Sequence, residues 1–233
     1  MIMKRLLSIF LLLTTLAAVA GARTLIVYYS FTGNCRAIVT SLQQQISADV
    51  AEVQPADEGV DYAANNYAIG DALIDQINNA PDDASSYPEI KPMEIDFSKY
   101  NTVIVVAPLW WSHIGAPMQS FLFANSRNLA GKHIGLVISS HSSGIATCAA
   151  DAHRLLPDSE FFDQNLWINN RNLANRDALI ADWLKNIKYS AVTAITAVQE
   201  PQQPERFYDL MGRPLPTAPA SGFYILNGQK HIR

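Results

Sequence analysis

The chain has 233 residues, 49% of them apolar and 16% charged, with a formal charge of −4. That composition supports a globular core and excludes a disordered chain. The acidic balance leaves no basic surplus to neutralise phosphates, which argues against a nucleic-acid partner.

Residues 1–22 have the order of a secretory signal peptide. Lys4 and Arg5 make a basic start, and Leu6 to Leu16 is an apolar run. Ala18 to Ala22 offers small-residue cleavage sites after Ala20 or Ala22. The run is short for a membrane span, and no later segment is apolar enough for one. The expectation is export, with no stable membrane span after cleavage. Losing Lys4 and Arg5 removes two of the 17 basic residues and no acid, so the mature chain carries −6. Two cysteines, Cys35 and Cys148, are too few for a disulfide-built scaffold.

From Thr24 the chain alternates strand and helix signals. Thr24 to Tyr29, Thr102 to Ala107 and Ile134 to Ile138 are apolar runs without polar alternation. Such runs suit strands buried on both faces of a parallel sheet. Asp49 to Val53 is half polar, as an edge strand would be. Phe161 to Ile168 is a weaker fifth strand. Helical spacing of apolar residues marks Arg36 to Ser47, Tyr67 to Ile77 and Arg176 to Ile187. Pro117 opens a helix to Ala124, and Gly144 to Leu156 is Ala-rich. Residues 80–98 read as a surface excursion. Together these predict a doubly wound α/β domain over 23–189 with right-handed crossovers.

Residues 190–204 read as a linker, and 205–233 as a short β-rich tail. In the tail, Arg206 to Leu210 and Gly222 to Leu226 are strand signals. Asn227-Gly228 is a hairpin turn signal, with Gln229 to Ile232 returning.

Open parallel sheets bind ligands beyond the carboxyl ends of their strands. Three loops leave such ends with unusual residues. In the first, Ser30, Phe31, Thr32, Gly33, Asn34 and Cys35 combine hydroxyls, an amide and a helix start. This is a neutral phosphate grip, or simply a capped turn. It is neither a Walker loop nor a Gly-x-Gly-x-x-Gly fingerprint. In the second, Pro108, Leu109, Trp110 and Trp111 could wall an aromatic ring, or the tryptophans could pack in the core. In the third, Ser139 to Gly144 could meet a ring's polar edge, with His141 read as a surface residue.

With those loops in place, residues 24–187 resemble a flavodoxin-like domain. The resemblance rests on Leu25 to Asn34, on Pro108 to Trp111 with Pro117 and Phe121 downstream, and on the Ser-rich loop. It implies a five-stranded parallel sheet in the order 2-1-3-4-5, to which the turn and strand signals of the tail add a short β-hairpin. It also implies flavin mononucleotide (FMN) as cofactor. Ser30 to Cys35 would then hold the phosphate. Pro108, Leu109, Trp110, Trp111, Ser142, Ser143 and Gly144 would flank the ring. Cys35 stands where the family usually has a Thr, which weakens one donor. A reactive thiolate at this helix start is an alternative role for it. The family topology would start the Cys35 and Cys148 helices on opposite faces of the sheet, against a disulfide.

The implied activity is electron transfer or flavin-dependent reduction, with a redox protein or a small quinone-like acceptor as partner. The alternative is a flavodoxin-fold binding protein that has lost FMN. Phe207 to Arg213 and Gly222 to Lys230 are similar to C-terminal segments of exported proteins in Gram-negative anaerobes. That implies the periplasm or cell surface.

Overall fold

Side-chain alternation decides how this sheet is covered. The computed structural model describes residues 23–190, 207–208, 213–215, 219, 222–226 and 229–232. Strand β1 spans Arg23–Tyr28 and is buried from Thr24 onward. Its successive residues point to opposite faces. Leu25 and Val27 enter one apolar cluster, and Ile26 and Tyr28 the other.

The sheet is parallel along its main path. β1 pairs with β2 (Ala48–Glu52) on one side and with β3 (Tyr100–Trp110) on the other. β3 pairs with β5 (His133–Ser140). β5 pairs with β6 (Glu160–Phe161) and β7 (Leu166–Asn169). The order is β2-β1-β3-β5-β6, with β7 further along β5. β4 (His113–Ile114) pairs antiparallel with the end of β3.

The doubly wound α/β class stands, and the strand count is corrected from five to seven. The expected fifth strand is interrupted between Phe161 and Leu166 by Phe162-Asp163-Gln164-Asn165, mostly polar. The Trp183 indole N–H donates to the Gln164 carbonyl at 2.8 Å and anchors the interruption. The seventh strand is β4, which folds back from a strand exit expected to be loop.

Among the described residues, α-helices cover the two faces. α1 (Asn34–Gln45) and α5 (Arg176–Asn186) pack Ile38, Leu42, Ile180 and Trp183 against Ile26, Ile104 and Val137. α2 (Ala64–Asn79), α3 (Ala116–Leu129) and α4 (Ala146–Leu155) pack on the other face. There Ile74, Phe121 and Ala152 meet Val103, Val105 and Leu136. Cys35 and Cys148 are buried free thiols in these separate clusters. Residues 80–98 are less of an excursion than expected. Ser86 and Tyr87 are buried, and Tyr87 stacks on Phe123 with centroids 4.3 Å apart.

The described residues fall into two compact units. The second is an antiparallel sheet of β8 (Phe207–Tyr208), β9 (Pro214–Leu215), β10 (Phe223–Leu226) and β11 (Gln229–Ile232), in the order β11-β10-β8-β9. The expected hairpin is present, with Leu226 paired to Gln229. Two further strands extend it, so the tail is more than a hairpin. The expected signal peptide, residues 191–204 of the expected linker and the expected Asn227-Gly228 turn lie outside the described residues. Among the described residues no helix is long and apolar enough to cross a membrane.

The helix–sheet spacing is set by a glycine. A Cβ at Gly135 would lie 3.0 Å from Trp183 Cη2 and 3.4 Å from Ile104 Cγ1. Gly135→Ala is expected to destabilise the fold by about 1–3 kcal/mol through overpacking. A shift of the denaturant midpoint at unchanged slope would register it.

Candidate functional site

The exits of β1, β3 and β5 converge on one cleft of about 490 Å³. The first wall is the turn between β1 and α1. Gly33 has φ 89°, a left-handed conformation that glycine adopts without strain. Gly33, at the N-cap of α1, has no side chain to cap the helix, and Ser30 reaches in from the strand exit instead. Ser30 Oγ accepts from the Arg36 N–H at 3.2 Å, and the Gly33 carbonyl from the Ala37 N–H at 3.0 Å. The Asn34 and Cys35 N–H groups therefore stand at the open helix end without an intrahelical acceptor. Phe31, Thr32, Asn34 and Cys35 line the cleft.

The second wall is aromatic. Trp110 is buried, with its ring centroid 5.7 Å from Tyr29, 5.9 Å from Phe31 and 5.1 Å from Tyr62. Trp111 is 41% exposed and rests on Gly70 of α2, where a Cβ would come within 2.8 Å of its ring. Tyr67 meets Phe31 edge-on at 6.3 Å. It closes a run of three left-handed residues, Asn65 to Tyr67, at the start of α2. Burial, with the Asp57 charge behind it, pushes the Tyr62 phenol up.

The third wall is polar. Trp167 Nε1 donates to Ser140 Oγ at 2.8 Å, and Ser140 Oγ–H donates to the Ser143 carbonyl at 2.8 Å. Asn34 Nδ2 donates to Asn170 Oδ1, and Asn170 Nδ2 faces His141 Nδ1, each at 3.5 Å. That chain ties the exits of β1, β5 and β7 together. Among the described residues, the cleft lining holds no Lys, Arg, Asp or Glu.

Of the residues singled out in sequence, the cleft takes in Phe31, Thr32, Asn34, Cys35, Pro108, Leu109, Trp110 and Trp111. Ser30 and Gly33 shape the turn from behind. Ser142, Ser143 and Gly144 are exposed and outside the lining, which instead takes Ser139, Ser140 and His141 from that loop. His141 is exposed, as a surface residue would be, yet lies at the cleft. Tyr62, Tyr67, Gly70 and Asn170 went unread. Asn170 follows a strand end and could have been found by the same rule as the others. Tyr62 and Gly70 gave no local signal.

The reactive-thiolate role for Cys35 is not supported. The side chain is 1% exposed, and burial pushes its thiol well above the ordinary range. Burial pushes Cys148 up to about 12, and the charge of Asp151 adds to this. Folded thiols thus keep protons that the unfolded chain releases above its own value near 9.0. Stability is expected to fall as pH rises from 9.0 to about 12, by about 1 kcal/mol per pH unit per thiol. Denaturant melts across that range check it, with Cys148→Ala giving a shallower fall. At pH 8 neither thiol should be alkylated until the chain unfolds.

A sequence profile of the family described as flavodoxin matches residues 23–187. No curated protein sequence matches the chain. Among solved structures, a Bacteroides eggerthii protein described as a flavoprotein is 21% identical, with a TM-score of 0.58, covering 72% of this chain and 98% of its own. A Lactobacillus acidophilus flavoprotein solved in complex with FMN is 19% identical, with a TM-score of 0.53, covering 66% and 97%. A Bacteroides uniformis protein, also described as a flavoprotein, is 21% identical, with a TM-score of 0.52, covering 69% and 99%.

Proposed function

The chain belongs to the flavodoxin family, and on that footing we propose that it binds FMN in this cleft and serves as a redox protein. One observation carries the reading. An open helix N-terminus and an aromatic wall border the same cleft, whose 490 Å³ lies within the range of cofactor pockets. The donor set fits a phosphate. Thr32 Oγ1, Asn34 Nδ2 and the N–H groups of Asn34 and Cys35 would hold it, helped by the helix dipole. Cys35 removes one hydroxyl donor and leaves the backbone donors intact.

When bound, the isoalloxazine ring supplies one- or two-electron chemistry. The chain's residues do the rest. Trp111 and Tyr67 would shield the ring from water. Ser139, Ser140 and His141 would meet its polar edge. The acceptor is a redox protein or a small quinone-like molecule, reached through the open mouth. Export rests on residues 1–22, with 205–233 as a sorting or stabilising tail in the periplasm or at the cell surface.

Adding FMN to the apoprotein is expected to quench flavin fluorescence and shift the visible band. No binding at micromolar flavin would leave a flavin-free binding protein as the reading. Thr32→Ala should weaken FMN about tenfold and leave riboflavin unchanged, because hydrogen bonds to charged groups are worth about 1.5–3 kcal/mol. Mass spectrometry of the secreted chain should find an N-terminus at Gly21 or Arg23; an intact Met1 would refute export with cleavage.

A further inference from the structure

The loop that carries the aromatic wall does not hold its own shape. Trp111 and Ser112 join β3 to β4 as a two-residue turn, with Trp110 opposite His113. Their φ angles are 48° and 73°. Positive φ at both central residues is the type I′ geometry, which Asn and Gly normally fill. A bulky Trp and a Ser are strained there. Contacts from outside the turn must therefore select this conformation.

Trp111 packs on Gly70 of α2, and the polar contacts come from α4. Asp151 is 5% exposed. Its Oδ2 accepts from His113 Nδ1–H at 3.0 Å and from the Ile114 N–H at 3.1 Å. One turn earlier on the helix, the Cys148 thiol donates to the Ser112 carbonyl at 3.3 Å. The far nitrogen of His113, Nε2, lies 3.2 Å from Asn78 Nδ2 of α2, a donor. Nε2 therefore accepts, and the proton sits on Nδ1, facing Asp151. Arg154 lies 3.7 Å from Asp151 Oδ1 and is itself held by Gln119 Oε1 and the Tyr87 hydroxyl. Neither Asp151 nor Cys148 lines the cleft.

We propose that Asp151 is a positioning residue for the flavin ring, acting through the His113-Ile114 strand to fix the strained turn that presents Trp111. The proposal rests on the FMN reading, and it makes a prediction that the phosphate grip does not. Asp151 acts on the ring wall, so its loss weakens every ligand that carries the ring, phosphate or none.

The test measures FMN and riboflavin affinities by fluorescence quenching for the wild-type chain, Asp151→Asn, His113→Leu and His113→Asn. Asn at 113 keeps an N–H donor where Leu has none. Asp151→Asn and His113→Leu are expected to weaken FMN and riboflavin by the same factor, about tenfold. His113→Asn should stay within about threefold of wild type. Near-UV circular dichroism of the apoproteins should change in the first two variants and recover in the third. A folded Asp151→Asn with unaltered riboflavin affinity and an unaltered near-UV spectrum would overturn the proposal. So would equal losses in His113→Leu and His113→Asn. If Asp151→Asn does not fold, the His113 pair decides. If the wild-type chain binds neither flavin, the FMN reading fails and with it the role toward the ring. The near-UV spectra then show separately whether Asp151 sets the turn.

Discussion

Parallel pairing of β1, β3 and β5 is the constraint on which the site depends. Tyr28 stands beside Val106, and Pro108 beside Ser139. That register ends the three strands at one edge of the sheet and releases their loops into one cleft. Both faces of these strands are buried under helices, so a slip of one residue would turn apolar side chains to the wrong cluster. The register is therefore held by the whole core, and the site inherits its precision.

What the cleft lacks shapes its chemistry as much as what it holds. Among the described residues its lining is aromatic and polar, with no Lys, Arg, Asp or Glu. A phosphate there would be met by neutral donors and a helix end, which stabilise an anion without a counter-ion. Two groups of the lining are held neutral, since burial pushes Cys35 and Tyr62 up. The hydrogen-bonded network of Asp151, His113 and Arg154 lies behind the aromatic wall, out of the cleft, where it acts on backbone geometry.

Much of the fold was legible because its signals are local. Leu25 to Tyr28 and Val103 to Ala107 read as buried strands, and Ile38 and Leu42 as one helix face, from spacing alone. The split of the fifth strand was not legible, because it depends on the Trp183 indole reaching Gln164 from another helix. The site divides in the same way. Thr32 and Trp111 were legible as residues at strand exits. Gly70 was not, because its meaning is the indole of Trp111 lying against it. Ser142 to Gly144 lie outside the cleft lining, while Ser140 turns inward to bond Trp167 and the Ser143 carbonyl.

By itself the sequence determined the class of the domain, the strands that supply the loops, and the residue types offered at Ser30 to Cys35. These follow from period, composition and the chemistry of a helix start, all set by near neighbours. Only the tertiary structure decided which side chains share the cleft, that Cys35 is a buried neutral thiol, and that Trp111 is held in a turn its own residues disfavour. Those depend on burial and on groups far away in the chain, such as Asp151, whose partners folding brings together.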